Sequence, residues 1–201
     1  MTEIYFHKVI NRHKEIAFFK YLSSHINEYK HINRNYVLNS YLVDKTIDII
    51  QLISKLELNT TLTNLKRSRL IGQLKLLPQS IKVIKSINDI SVDFVIKSND
   101  KLQFIEFHEK QHRNLSDKRP KLVFTNDFKE IEVPRFVQRF LKDYWRLENL
   151  SNYKIVWWDW FEKNNNYTNL VDENKKEYYL PNKFSFEELL TNTAGNNAYK
   201  K

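Results

Sequence analysis

The hydrophobic period of this chain changes at Pro78, and that change limits the folds open to it. Before Pro78 the apolar residues recur at helical spacing. Residues 1–38 read as one or two amphipathic helices with Ile16, Phe18, Phe19 and Leu22 on the apolar stripe. Ser40 can cap a second helix whose face is Leu42, Val43, Ile47, Ile50, Ile53 and Leu56. The stretch from Leu62 to Leu77 is helical and strongly basic, carrying Lys66, Arg67, Arg69 and Lys75, and Pro78 stops it.

After Pro78 the pattern turns to β-branched and aromatic runs too short for ordinary helices: Ile81–Ser86, Ile90–Lys97 and Leu102–Lys110. Ser98-Asn99-Asp100-Lys101 is turn chemistry, so the last two runs are expected to form a hairpin. A basic loop (Gln111 to Lys121) and a short apolar run (Leu122–Phe124) follow. Pro134 opens a helix over Arg135 to Glu148, and Tyr153–Trp158 reads as a buried strand. Residues 163–176 read as an asparagine-rich linker, Phe184–Leu190 as a short helix, and the last ten residues as disordered. Helices, three strands, a helix and a strand predict an α+β fold, with helices on the faces of a mixed sheet. The expected division is a helical region over 1–60, a core over 61–162 and a linker with flexible tail over 163–201.

Composition narrows the chemistry. With no cysteine, a disulfide scaffold and a thiolate metal site are excluded, so any metal must sit on oxygen or imidazole. Two glycines, Gly72 and Gly195, cannot build a glycine-rich phosphate cradle, which argues against a nucleotide cofactor. No signal peptide and no run approaching 18 apolar residues is found, so a soluble, cytoplasmic protein without membrane partners is expected. The formal charge of +9 points to a phosphate backbone as partner.

The candidate site lies in the hairpin: Asp93 in the first strand, then Glu106-Phe107-His108-Glu109-Lys110-Gln111-His112. Strand alternation puts Glu106, His108 and Lys110 on one face and Ile105 and Phe107 on the other. Two carboxylates among apolar neighbours form an unstable pair without a cation, and two hard oxygens are what Mg²⁺ (or Mn²⁺ in its place) requires. A cation so held can activate water and offset charge in phosphodiester hydrolysis.

These residues resemble the PD-(D/E)xK nucleases, whose members carry an aspartate on one central strand and a D/E-x-K on the next, in an α-β-β-β-α-β order. The resemblance covers about Leu62 to Asp159 and implies a restriction-endonuclease-like fold with Asp93 and Glu106 as metal ligands. His108 stands where that motif has lysine, and Lys110, two residues on, is the candidate to replace it. The stretch Ile105–His112 is also similar to very-short-patch repair endonucleases and EDxHD homing endonucleases. That likeness implies His108 near the metal or the attacking water and His112 as general acid or base, with Gln111 supporting. Glu57 is the candidate for the N-terminal glutamate of the homing variant.

Lys66, Arg67, Arg69, Arg113, Lys118, Arg119, Arg135 and Arg139 are the candidate DNA contacts. The expected function is therefore a Mg²⁺-dependent endonuclease on double-stranded DNA, a type II restriction enzyme first, acting as a homodimer to cut both strands. The alternatives are a homing, repair or nicking enzyme of the same group, a DNA-binding module with a dead site, and a zinc metalloprotease. The last rests on His108-Glu109-Lys110-Gln111-His112, which spells HExxH and demands a helix over 104–112.

Overall fold

In a computed structural model, the described residues are 2–6, 16, 18, 19, 28–31, 46–60, 62–83, 92–98, 101–108, 117–157, 186, 187, 189 and 190. The hairpin forms as its pattern dictates. Strands β5 (Phe94–Ser98) and β6 (Lys101–His108) pair antiparallel, from Ser98↔Lys101 at the turn to Phe94↔Ile105 at the far end. Strand β9 (Tyr153–Trp157) lies parallel to β6, with Glu106↔Ile155 and His108↔Trp157 in register. On the other side β1 (Thr2–Phe6) runs antiparallel to β5, and β2 (Glu28–His31) parallel to β1. The sheet order is β2-β1-β5-β6-β9, so both hairpin strands are interior. That explains why Phe94, Val95 and Ile96 are buried in succession rather than alternately. On the face of Phe94 and Phe107 sits Phe18, edge-on to the first ring at 5.3 Å and stacked on the second at 4.8 Å.

A second sheet, order β3-β4-β7-β8, is antiparallel throughout: Ile47–Asp48, Ser80–Lys82, Pro120–Thr125 and Glu130–Pro134. Helices α1 (Ile49–Leu58), α2 (Asn64–Leu74) and α3 (Arg135–Asn149) accompany it. Asp48 caps α1 by accepting the Gln51 amide at 2.9 Å, and Thr63 caps α2. Leu52 and Leu56 of α1, Leu70 and Leu74 of α2, and Phe136, Phe140 and Trp145 of α3 are buried. Lys55 joins α1 to α3 by donating to the Tyr144 hydroxyl at 3.1 Å and to Glu148 at 3.3 Å.

The fold is thus α+β, but its parts come from unexpected places. One unit gathers residues 1–41, 90–110 and 150–184 with the five-stranded sheet; the other gathers 42–89, 111–149 and 185–201 with the helices and the four-stranded sheet. Residues 2–6 and 28–31 are strands inside a stretch expected to be helical, although 16, 18 and 19 are helical. Thr2-Glu3-Ile4-Tyr5-Phe6 is rich in β-branched and aromatic residues, and pairing with β5 outweighs the helical stripe further along. One mixed sheet was expected; β4, in the run beginning at Ile81, instead joins β3 and β7 in the second sheet, and β1 lies next to β5. Among the described residues no helix is long and apolar enough to cross a membrane.

Candidate active site

Asp93 immediately precedes β5, one step beyond the Phe94↔Ile105 pair, which puts it opposite Glu106. Here side chains replace the backbone ladder. The Asp93 amide donates to Glu106 Oε2 at 3.1 Å, and the Phe107 amide donates to Asp93 Oδ2 at 2.8 Å. Each acid is therefore held by the backbone at or beside the other, and both carboxylates lie at the same end of the same strand pair. Val92, Phe94, Ile105 and Phe107 are buried, whereas Asp93 and Glu106 are half-buried, as alternation requires of residues facing the other way.

His108 ends β6 on the Glu106 side of the alternation and is only 5% exposed. Lys110, Gln111, His112 and Arg113 lie outside the described residues. The helix that an HExxH zinc site needs over 104–112 is not formed up to residue 108, because Lys101–His108 is a strand paired on both sides. The part of that expected helix over 104–108 is thus corrected to a strand, and Glu109 to His112 lie outside the described residues.

Among the described residues no group of three or more histidine, aspartate or glutamate side chains is arranged around a common metal position. The donor set at the strand end is two carboxylates. Mg²⁺ is commonly held by one or two carboxylates, its remaining positions going to water and substrate phosphate, so this set fits that ion and does not fit a closed zinc site.

Lys154 is a buried cation that the sequence reading passed over inside an apolar strand. Its register partner is Ile105, which assigns it to the face opposite Glu106, so it is not the replacement for the motif lysine. Glu57 belongs to the helical unit, where its carboxylate lies 3.8 Å from Lys75 Nζ.

The described candidate DNA contacts all belong to that unit too. Arg67 is engaged by Asn64 Oδ1 at 2.7 Å and the Glu57 carbonyl at 3.2 Å, and Arg69 lies over the Phe136 ring at 5.6 Å. Lys66 is half-buried on α2 and Lys118 is exposed. Arg119, Arg135 and Arg139 converge on Asp117, a residue not singled out from sequence. Its only signal was to be the one acid in the basic run Arg113–Lys121. Arg119 grips its carboxylate with two nitrogens, at 2.9 and 2.8 Å; Arg139 Nη2 is at 3.1 Å and Arg135 Nε at 3.8 Å. The Arg119 hydrogen bonds hold the Asp117 carboxyl well below the usual carboxylate range. Burial, and then the charge of neighbouring Arg135, press the Arg139 pKa downward. The chain matches no protein-family model, no curated protein and no solved structure.

Proposed function

We propose that this chain is a metal-dependent endonuclease acting on double-stranded DNA, restriction-endonuclease-like in its core and restriction-type in its activity. The observation that carries this reading is the reciprocal bonding of Asp93 and Glu106, which fixes two carboxylates together at the end of adjacent strands. Further support comes from the sheet, where the acids lie opposite one another at one end of an antiparallel strand pair, as the resemblance asks of an aspartate on one strand and a glutamate on the next. The net charge of +9 suits a polyanionic substrate.

In this reading Asp93 and Glu106 hold the cation, and their backbone bonds keep both carboxylates in place before it arrives. A Mg²⁺ or Mn²⁺ ion bound there supplies Lewis-acid polarisation of the phosphate and a lowered pKa for the attacking water. His108, buried two residues along the same face, orients that water or the scissile phosphate. His112 is the proposed general acid or base and Lys110 the proposed substitute for the motif lysine. Cutting both strands calls for a symmetric dimer.

The test is incubation of plasmid and phage DNA with the protein and Mg²⁺, beside Asp93→Ala and Glu106→Ala. Discrete bands from the wild type, with both variants slowed about 100-fold or more, are expected. Linear plasmid marks a double-strand cutter, and open circles mark a nicking enzyme. Plasmid that stays supercoiled while gel shifts persist overturns the proposal in favour of a binding module.

A further inference from the structure

Among the described residues, three guanidinium groups reach the one carboxylate of Asp117. The arrangement is built rather than incidental. The Asp117 side chain is 10% exposed and that of Arg139 15%, while Arg119 reaches outward at 68%. The segment is also pinned from behind: the Arg135 and Phe136 amides, at the start of α3, donate to the carbonyls of Arg119 and Asp117 at 2.8 and 3.2 Å. Those bonds engage the first amides of the helix, and its first turn carries no acid. The positive end of the helix dipole therefore adds to the positive charge gathered there.

Arginine does not escape such repulsion by losing its proton. Burial, then the charges of Arg135 and Arg119, press the Arg139 pKa downward, and the carboxylates of Asp117 and Asp143 oppose them. Holding like charges this close costs free energy that a bound anion returns. Planar guanidinium forks, oriented by a shared carboxylate, match the oxygens of a phosphate better than diffuse lysine charge does.

We propose that Arg119, Arg135 and Arg139, arrayed on Asp117, form a binding site for a phosphate group carried by a nucleic-acid strand. Asp117 acts as the positioning residue. The proposal rests on the reading above for the carrier of the phosphate, but not for catalysis. A backbone diester and a terminal monoester both present the required oxygens.

The full-length protein is titrated with a short labelled duplex in EDTA over a series of salt concentrations. The variants are Arg119→Gln and Asp117→Asn, with Lys129→Gln as a cation away from the cluster that pairs with Asp127. Arg119→Gln is expected to weaken binding about tenfold and to lower the slope of log affinity against log salt by about 1. Lys129→Gln is expected to leave both unchanged. Asp117→Asn makes the protein more positive and is nonetheless expected to weaken binding, because the forks lose their common anchor.

Unchanged affinity and slope in Arg119→Gln, an equal loss in Lys129→Gln, or tighter binding in Asp117→Asn overturns the proposal, since each marks diffuse charge. Should Asp117→Asn fail to fold by circular dichroism, the exposed Arg119 decides alone. Duplexes with 5′-phosphate and 5′-hydroxyl ends separate the carriers: equal affinity assigns the site to the backbone, and preference for the phosphate end assigns it to a terminus. With no divalent cation present, failure here leaves the cleavage test untouched, and loss of cleavage with binding intact leaves this site standing.

Discussion

Asp93 has one observed role and one proposed role, which substitution can separate. Its Oδ2 accepts the Phe107 amide at 2.8 Å, a structural bond, while the proposed cation would be held by its charge. Asparagine can keep the first and loses the second. Asp93→Asn is therefore expected to unfold near the wild-type denaturant midpoint, whereas Asp93→Ala deprives a buried amide of this acceptor and costs about 1–2 kcal/mol. Chemical denaturation of the two variants reads the difference. Asp117 makes a pH prediction of known sign. Its folded-state pKa lies below the ordinary value of 3.8, so the ionised form is favoured by folding. The stability it confers is present above about pH 4 and is lost as pH falls below that value. Melting curves between neutral and strongly acidic pH should fall less steeply for Asp117→Asn than for the wild type. At this scale the two acids of the hairpin were legible because alternation and a turn fixed their register. Asp117 was not, because its importance comes from helix α3, far along the chain.

Elements with strong local signals came out as read. The hairpin closes at Ser98↔Lys101, where turn residues separate two β-rich runs. Helix α3 spans Arg135–Asn149, directly after the proline expected to open it. Elements decided by partners were not legible. Strand β8, Glu130–Pro134, contains two glutamates and a proline, all poor strand formers, and exists through its pairing with β7 and its position at the sheet edge. Likewise α1 starts after Asp48 rather than after Ser40, because residues 47–48 pair with β4. The entry to β9 depends on Asn152, which takes a left-handed conformation (φ 65°), accepts the Phe104 amide on its carbonyl at 3.1 Å and donates from its side chain to the Leu102 carbonyl. Asn152→Ala should cost about 1–2 kcal/mol, and Asn152→Gly clearly less, since glycine adopts that conformation without the Cβ penalty. Thermal unfolding of the pair checks this.

Across the whole molecule, composition excluded thiolate metal sites and glycine-rich phosphate loops, and the α+β class followed from the change of period at Pro78. What sequence could not supply was the assembly. Each unit collects separate segments, and the chain between β6 and its parallel neighbour β9 passes through the other unit. Such pairings join residues far apart in sequence, and local periodicity carries no trace of them. The same long-range assembly brings β1 from the chain's start against β5 and so makes the acid-bearing hairpin interior.

The proposed nuclease requires that the side chains of residues 93 and 106 jointly ligate a divalent metal. Electron paramagnetic resonance of Mn²⁺ titrated into the protein measures it without requiring a cleavable substrate. One bound ion per chain is expected for the wild type, with affinity sharply reduced in both Asp93→Asn and Glu106→Gln. Binding curves that superimpose for all three proteins would contradict joint ligation by the two carboxylates.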